Sequence, residues 1–336
     1  MEKNRICVLV VTYNRKEYLV KLLPALATQT HKPEEILLFD NHSTDHTLEY
    51  LQEFGYVDPW DGKEDKRDLF TTPLLGKIQG VPIRYYENHS NEGGSGGFHH
   101  GLRIASERDC DCIWMMDDDV LPEPDCLEGL LSYMTPSSRI CVPSRQDENY
   151  RDYAVTSMNM TNPFLYKIDT RKTRIPATDI EKDYIPVIDM PFEGPLLHKS
   201  VVEEVGLPKR DLFIIFDDTE FAHRAGEITE IRYIRGSILH RQVAAEKKAA
   251  PKPAKKPPMN WKDYYFRRNE FWFDHTYGKN FWVRNLRPFL TYWYFKTYAI
   301  VHGIKPNLRL LKRAYKDGMH GRLGKKMDPA TGKYQE

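Results

Sequence analysis

The chain has 336 residues, 40% hydrophobic and 29% charged, an ordinary globular composition that excludes a single minimal domain and suits one large α/β domain with a smaller appendage. The formal net charge of +1 is unevenly spread: residues 241–336 carry 22 Lys and Arg against 7 Asp and Glu, an excess of +15 that leaves −14 over residues 1–240. The five cysteines, Cys7, Cys110, Cys112, Cys126 and Cys141, are odd in number and lack framework spacing, which argues against a disulfide scaffold and for a reducing compartment.

The N-terminus MEKNR has no signal-peptide pattern and leads at once into residues 6–11 (ICVLVV), a continuous β-branched run that reads as a buried parallel strand. It ends at Thr12-Tyr13-Asn14-Arg15, and Leu19, Leu22, Leu23 and Leu26 then repeat at helical spacing. Residues 35–39 (EILLF) form a second strand ending at Asp40-Asn41, with Ser43 or Thr44 as the cap of a helix running to about Phe54. Residues 58–80 carry charge and turn residues and read as an insertion loop, before a third strand at 83–86. A glycine cluster follows (NEGGSGGF, 91–98), then a helix to about Glu107. Residues 112–116 (CIWMM) form a fourth strand ending at Asp117-Asp118-Asp119. Cys110-x-Cys112 has no matching Cys/His pair nearby, which argues against zinc.

Strands alternating with helices predict an α/β fold with a doubly wound, mostly parallel sheet, whose ligands sit beyond the carboxyl ends of the strands. Residues 140–240 are less periodic, and Ala250 opens a Pro/Lys-rich stretch that reads as a flexible loop. Residues 261–318 are helical in pattern and dense in Trp, Tyr, Phe, Arg and Lys. No stretch of roughly 18 uncharged apolar residues marks a transmembrane helix.

Three consecutive acids at the end of an apolar strand repel one another, and a divalent cation held by carboxylates and a diphosphate relieves this. On an extended chain Asp117 and Asp119 point to one side; the alternative is a solvated acidic turn capping the next helix. The glycine cluster, with Gly93, Gly94 and Gly97, suits a phosphate or sugar cradle of backbone N–H groups, or simply a flexible loop. It is no dinucleotide fingerprint, because His99 stands where the third glycine belongs. Asp40 suits the N3–H of a uracil ring, though Asp at a strand end is also a common turn residue. Residues 213–221 (FIIFDDTEF) read as an apolar strand, a pair of carboxylates and a helix. Asp217 or Asp218 there either caps the helix or takes a proton from an acceptor hydroxyl. His240 ends a further apolar run and becomes a metal-ligand candidate only beside the acids.

The order VVTYNR, LLFDN, NEGGSGGF, WMMDDDV, FDDTEF and ILH over residues 5–245 resembles family 2 of the inverting glycosyltransferases, with the GT-A nucleotide-diphosphosugar fold. NEGGSGGF followed by MDDDV is similar to bacterial galactofuranosyltransferases, with rhamnosyltransferases as near relatives. The resemblance implies that Thr12, Tyr13, Asn14, Arg15 and Asp40 hold the nucleotide, and that Asp117 and Asp119 bind Mn²⁺ or Mg²⁺ with His240 completing the shell. It further implies that Asp118 lies near the donor and that Asp218 is the general base. Galactofuranosyltransferases often carry a tryptophan pair where this chain has Phe192-Glu193-Gly194-Pro195, which bears on the acceptor and donor sugar.

The expected organisation is a GT-A catalytic domain over residues 1–245 (nucleotide-binding 1–120, acceptor-binding 121–245), a loop over 246–260, and a basic, aromatic helical region over 261–336. The expected reaction moves a hexose, galactofuranose first, from a UDP-sugar to a cell-surface glycan or lipid-linked acceptor; dTDP-rhamnose is the second donor. A nucleotidyltransferase would need a Gly-rich basic signature after the first strand, which VVTYNR lacks. A nucleic-acid-binding module would need a single-strand-binding motif, and the tail has none. The basic tail suits peripheral contact with the inner face of the cell membrane, a cytoplasmic location, or else a helical cap on the core or a homo-oligomer contact.

Overall fold

The computed structural model describes residues 4–59, 68–147, 150–242 and 258–335. Most of the Pro/Lys stretch at 246–260 lies outside the described residues.

The first half contains β1 (Ile6–Thr12), α1 (Lys16–Ala27), β2 (Glu35–Asp40), α2 (Thr47–Glu53), β3 (Leu74–Ile78), β4 (Val81–Glu87), α3 (Gly93–Ser106) and β5 (Cys112–Asp117). β1 is buried along its whole length, as an unbroken apolar strand is when both sheet faces are covered. It lies between β2 and β5 and runs parallel to both, with β4 parallel beyond β2. Its residues alternate between faces. Ile6, Val8 and Val10 pack with Leu19, Leu22 and Leu26 of α1. Cys7, Leu9 and Val11 pack with Phe98 and Leu102 of α3.

The second half adds β6 (Val120–Pro122), α4 (Cys126–Ser132), β7 (Ile140–Asp147), β8 (Tyr150–Arg151), β9 (Tyr153–Met158), α5 (Ile168–Arg171) and β10 (Lys172–Pro176). It continues with β11 (Tyr184–Val187), β12 (Glu193–His198), α6 (Lys199–Val205), α7 (Asp217–Ala225) and β13 (Ile231–Arg241). The main sheet runs β11-β13-β7-β12-β5-β1-β2-β4-β3, with β6 on β13 and β8 on β7; β9 and β10 form a separate ribbon. The sheet is therefore parallel around β1 and mixed beyond β5, where β12 runs antiparallel to β5 and β7. α6 and α7 cover the same face as α3. The C-terminal region is helical, as expected: α8 (Trp261–Tyr277), α9 (Phe281–Val301) and α10 (Lys305–Met319). No helix among the described residues is long and apolar enough to cross a membrane.

Four local expectations are corrected. The stretch read as an insertion loop contains β3, which closes on β4 through Gln79 and Gly80, both at positive φ (48° and 80°), the backbone of a tight two-residue hairpin. α2 starts at Thr47, not after Ser43 or Thr44; Ser43 and Thr44 instead bond Asn14, across the β1–α1 loop. The glycines of NEGGSGGF lie in the first turns of α3, not in a loop before it. Residues 213–216 form no strand; Phe213, Ile215 and Phe216 all have positive φ (65°, 68° and 73°), and the segment is an irregular loop leading into α7.

Candidate active site

Parallel register places the strand ends of the first half side by side. Thr12 lies opposite Asp40, Asp40 opposite Glu87, and Val11 opposite Asp117. β5 stops at Asp117, and Asp118 and Asp119 form the turn into β6. The three acids are thus not on an extended chain, because Asp118 and Asp119 lie in a turn. Asp118 turns back into the fold, where it accepts from Thr12 Oγ1 at 2.7 Å and from the Tyr13 N–H at 3.2 Å. The Arg15 guanidinium lies 3.1 Å from Asp118 and also pairs with Asp119.

This crowding shows in the acids' ionisation. Burial, then the charges of Asp119 and Glu193, pushes the Asp117 carboxyl well above the usual range. Burial pushes Asp118 up to about 6, although Arg15 and Thr12 oppose it. Asp40 is 1% exposed. Its oxygens accept from the Ser43 N–H and the Tyr85 hydroxyl, both at 2.7 Å, and burial raises it to about 6. In this state Asp40 shapes the β2–α2 turn and presents no open face to a base. Of the other nucleotide candidates, Tyr13 is 40% exposed, and Asn14, at φ 54°, holds Ser43 and Thr44.

α3 approaches the strand ends closely because its glycines permit it. A Cβ on Gly97 would stand 2.6 Å from Val11 Cγ1, and one on Gly93 would stand 2.0 Å from the Phe213 carbonyl oxygen. Gly93 also has φ +74°, a region open mainly to glycine. Asn41 ties this corner to β2, donating to the Gly93 carbonyl at 2.9 Å. Gly94 faces Asp217: a Cβ there would lie 4.0 Å from its carboxylate.

The second acidic corner opens α7. Asp217 is pushed up to about 6, mainly by burial. Asp218 is pushed up to about 7 by burial and by the charges of Asp189 and Asp217. Thr219 joins two of these acids, giving its N–H to Asp218 (2.6 Å) and its hydroxyl to Asp189 (3.0 Å). Lys172 holds the other Asp189 oxygen at 2.7 Å.

Phe192 connects both corners. Its carbonyl accepts the Asp117 N–H at 3.1 Å, and its ring packs on Phe98 of α3 (4.6 Å between centroids) and Phe221 of α7 (6.1 Å). The next residue, Glu193, takes Arg145 at 2.9 Å and Arg241 at 3.1 Å. Burial alone would raise Glu193, but the two guanidinium groups hold it below the usual carboxylate range.

The sequence reading missed Asp189, Lys172, Glu193, Arg145 and Arg241. Glu193 stood in the segment that departs from the galactofuranosyltransferase pattern, and Arg241 adjoins His240, so both had a local signal; Asp189 and Lys172 had none.

β13 runs antiparallel to β6, with Arg241 opposite Val120 and the Gln242 N–H bonded to the Asp119 carbonyl at 2.7 Å. Alternation then sends His240 and Arg241 to opposite faces. Arg241 meets Glu193, while His240 Nε2 lies 2.6 Å from Glu123. Among the described residues no group of three or more His, Cys, Asp or Glu is disposed to hold a metal ion. Asp117 and Asp119 fit a hard divalent cation by chemistry and by their mutual repulsion. His240, in this state, is engaged with Glu123.

The Glycosyl transferase family 2 model matches residues 7–193. The galactofuranosyltransferase GlfT1 of Mycolicibacterium smegmatis is 26% identical over 219 residues, 65% of this chain and 64% of that protein. GlfT1 of Mycobacterium tuberculosis is 25% identical over 217 residues, 64% of this chain and 62% of that protein. The matches thus span a little under two thirds of those relatives' length. Among solved structures, GalNAc-T7 with UDP, GalNAc and Mn²⁺ superposes with a TM-score of 0.58 at 14% identity, covering 95% of this chain and 56% of that one. S. aureus TarS 1–349 gives 0.52 at 12% identity, covering 95% and 82%. These likenesses establish the GT-A architecture.

Proposed function

The chain belongs to glycosyl transferase family 2, and from that premise we propose that it is an inverting glycosyltransferase moving a hexose from a UDP-sugar to a glycan or lipid-linked acceptor. The observation that carries this reading is the pair of acidic corners, Asp117–Asp119 and Asp217–Asp218, joined through Phe192 at one end of the sheet. One corner suits the diphosphate and the other the acceptor hydroxyl. Thr12, Tyr13, Asn14 and Arg15 line the nucleotide side, and Asp118 braces that loop from below. Asp40 enters the pyrimidine contact only if Tyr85 or Ser43 releases it. Asp117 and Asp119 would hold Mn²⁺ or Mg²⁺, which when bound neutralises the diphosphate leaving group.

Asp218 takes the proton from the acceptor hydroxyl as that oxygen attacks the anomeric carbon. The anomeric configuration inverts in a single displacement that rests on positioning and charge stabilisation. Galactofuranose is the favoured sugar, because the GlfT1 relatives, matched over 219 and 217 residues, are galactofuranosyltransferases.

The test is donor hydrolysis and thermal stabilisation with UDP-galactofuranose, UDP and dTDP-rhamnose, each with Mn²⁺ and with EDTA. UDP-galactofuranose turnover that stops in EDTA is the expected result. Turnover of dTDP-rhamnose alone would replace the donor, and full activity in EDTA would remove the metal.

A further inference from the structure

Helix α9 covers the core with one face and leaves an apolar stripe on the other. Val283, Arg287, Thr291 and Ala299 are buried, and Tyr292 packs on Tyr315 of α10 at 4.8 Å. On the outward side stand Trp282 (60% exposed), Phe289 (45%), Trp293 (41%) and Ile300 (57%). At 100° per residue these four lie within about 40° of one another along the whole helix. A solvated helix carries charge on this face, but α9 contains no Asp or Glu. The stripe's cation is Lys296, whose Nζ lies 3.8 Å from the centre of the Trp293 ring.

The next helix presents a different stripe. Lys305, Arg309, Lys312 and Lys316 of α10 are exposed and follow helical spacing, within about 60° of arc. The acid of α10, Asp317, is 3% exposed and accepts the Tyr264 and Tyr334 hydroxyls, each at 2.7 Å. It therefore offsets none of the basic face. The basic stripe starts at Lys305, just past Ile300 and Val301, where the apolar one ends.

We propose that the outward faces of α9 and α10 form a docking surface for an anionic lipid bilayer, with the rings of α9 among the headgroups and the cations of α10 on lipid phosphates. Exposed aromatic rings beside cations, with no acid among them, match an interface that is apolar below and negative at its surface. The same composition argues against a second copy of the chain as occupant, because two such faces would oppose cation to cation. This surface does not rest on the transfer reading, and its test reads binding alone.

The full chain is mixed with vesicles of phosphatidylcholine, with and without phosphatidylglycerol, and followed by co-sedimentation and tryptophan emission. Binding with a blue shift to the phosphatidylglycerol vesicles at low salt, reversed at high salt, is expected. The double variant Trp282→Ser/Trp293→Ser should bind about tenfold more weakly, with an unchanged melting temperature because both rings are exposed. The triple variant Arg309→Glu/Lys312→Glu/Lys316→Glu should not bind. Wild-type protein that ignores anionic vesicles at low salt overturns the proposal, as do variants that bind like wild type. A dimer that the tryptophan substitutions convert to monomer, without vesicle binding, overturns it in favour of contact between copies.

Discussion

A carboxyl pushed up to about 7 is half ionised at neutral pH, and Asp218 is in that position. As the proposed general base it would work only as the anion, so transfer should rise with pH through about 7 and level off above. Asp218→Asn should lower the rate by about 10²–10⁴ and remove this limb. The same shift governs stability. A carboxyl raised on folding stabilises the fold fully below its ordinary value of 3.8, and that contribution is lost as pH rises through about 7. Asp218→Asn should therefore melt about 2–4 °C above wild type at pH 8, with the gain fading toward pH 4; a gain that grows on acidification would refute the assignment. Asp189 contributes through its charge and the shared Thr219. Asp189→Asn should move the midpoint of the pH–rate profile to lower pH, whereas a residue that only braces the loop would cut the rate at every pH and leave the midpoint in place. This corner was half legible: the paired acids stand out in the chain, but Asp189 and Lys172 reach them only through the fold.

Among the elements, the loop before α7 depends on α8. Its backbone is strained at Phe213, Ile215 and Phe216, where positive φ in non-glycine residues costs of order 1–3 kcal/mol each. α8 holds it with a fully buried amide: Asn269 Nδ2 lies 3.1, 2.9 and 2.7 Å from the carbonyls of Leu212, Ile214 and Ile215. Arg268 donates to the Leu212 carbonyl at 2.8 Å. Asn269→Leu leaves buried carbonyls unpaired and should cost about 2–4 kcal/mol by urea unfolding, with a loss of transfer rate larger than the loss of donor affinity. This is why the apolar run at 213–216 reads as a strand in the sequence. Apolar periodicity reports burial, and here the burial is against a helix some 50 residues further on. β1, β2 and β5 were legible because a strand covered on both faces needs an unbroken apolar run, and each run stops abruptly at polar residues. β3 was hidden among charged residues, and a glycine-rich run gives no sign of helix until its close approach to Val11 is known.

At the scale of the molecule, the C-terminal helices are part of the body that carries the site. Tyr265 stacks on Phe213 at 4.7 Å, and Tyr277 donates to Glu220 of α7 at 2.6 Å. Arg171 pairs with Glu270 (3.1 Å) and Asp274 (2.9 Å) of α8, and Arg287 of α9 joins Asp274 at 3.2 Å, with all four side chains at most 1% exposed. Removing one side of such a cluster strands buried charge, at about 3–5 kcal/mol. A chain ending at residue 242 should therefore lose its cooperative thermal transition, and supplying residues 258–336 as a separate polypeptide should restore it; a sharp transition in the shortened chain alone would show that the helices are dispensable.

On the proposed reading, Arg15 should make donor and cation thermodynamically linked ligands. Its guanidinium already neutralises Asp118 and Asp119, so an incoming cation competes with a charge the protein supplies itself. A nucleoside diphosphate offers Arg15 a second anion and draws it off the carboxylates, so each ligand should raise the affinity for the other by the same factor. Calorimetric titration of Mn²⁺ with and without UDP should show tighter binding when UDP is present. In Arg15→Ala the cation should bind more tightly alone, and the advantage given by UDP should shrink. On that reading the guanidinium holds the place of the cation, and the protein without ligands should favour taking up the two together.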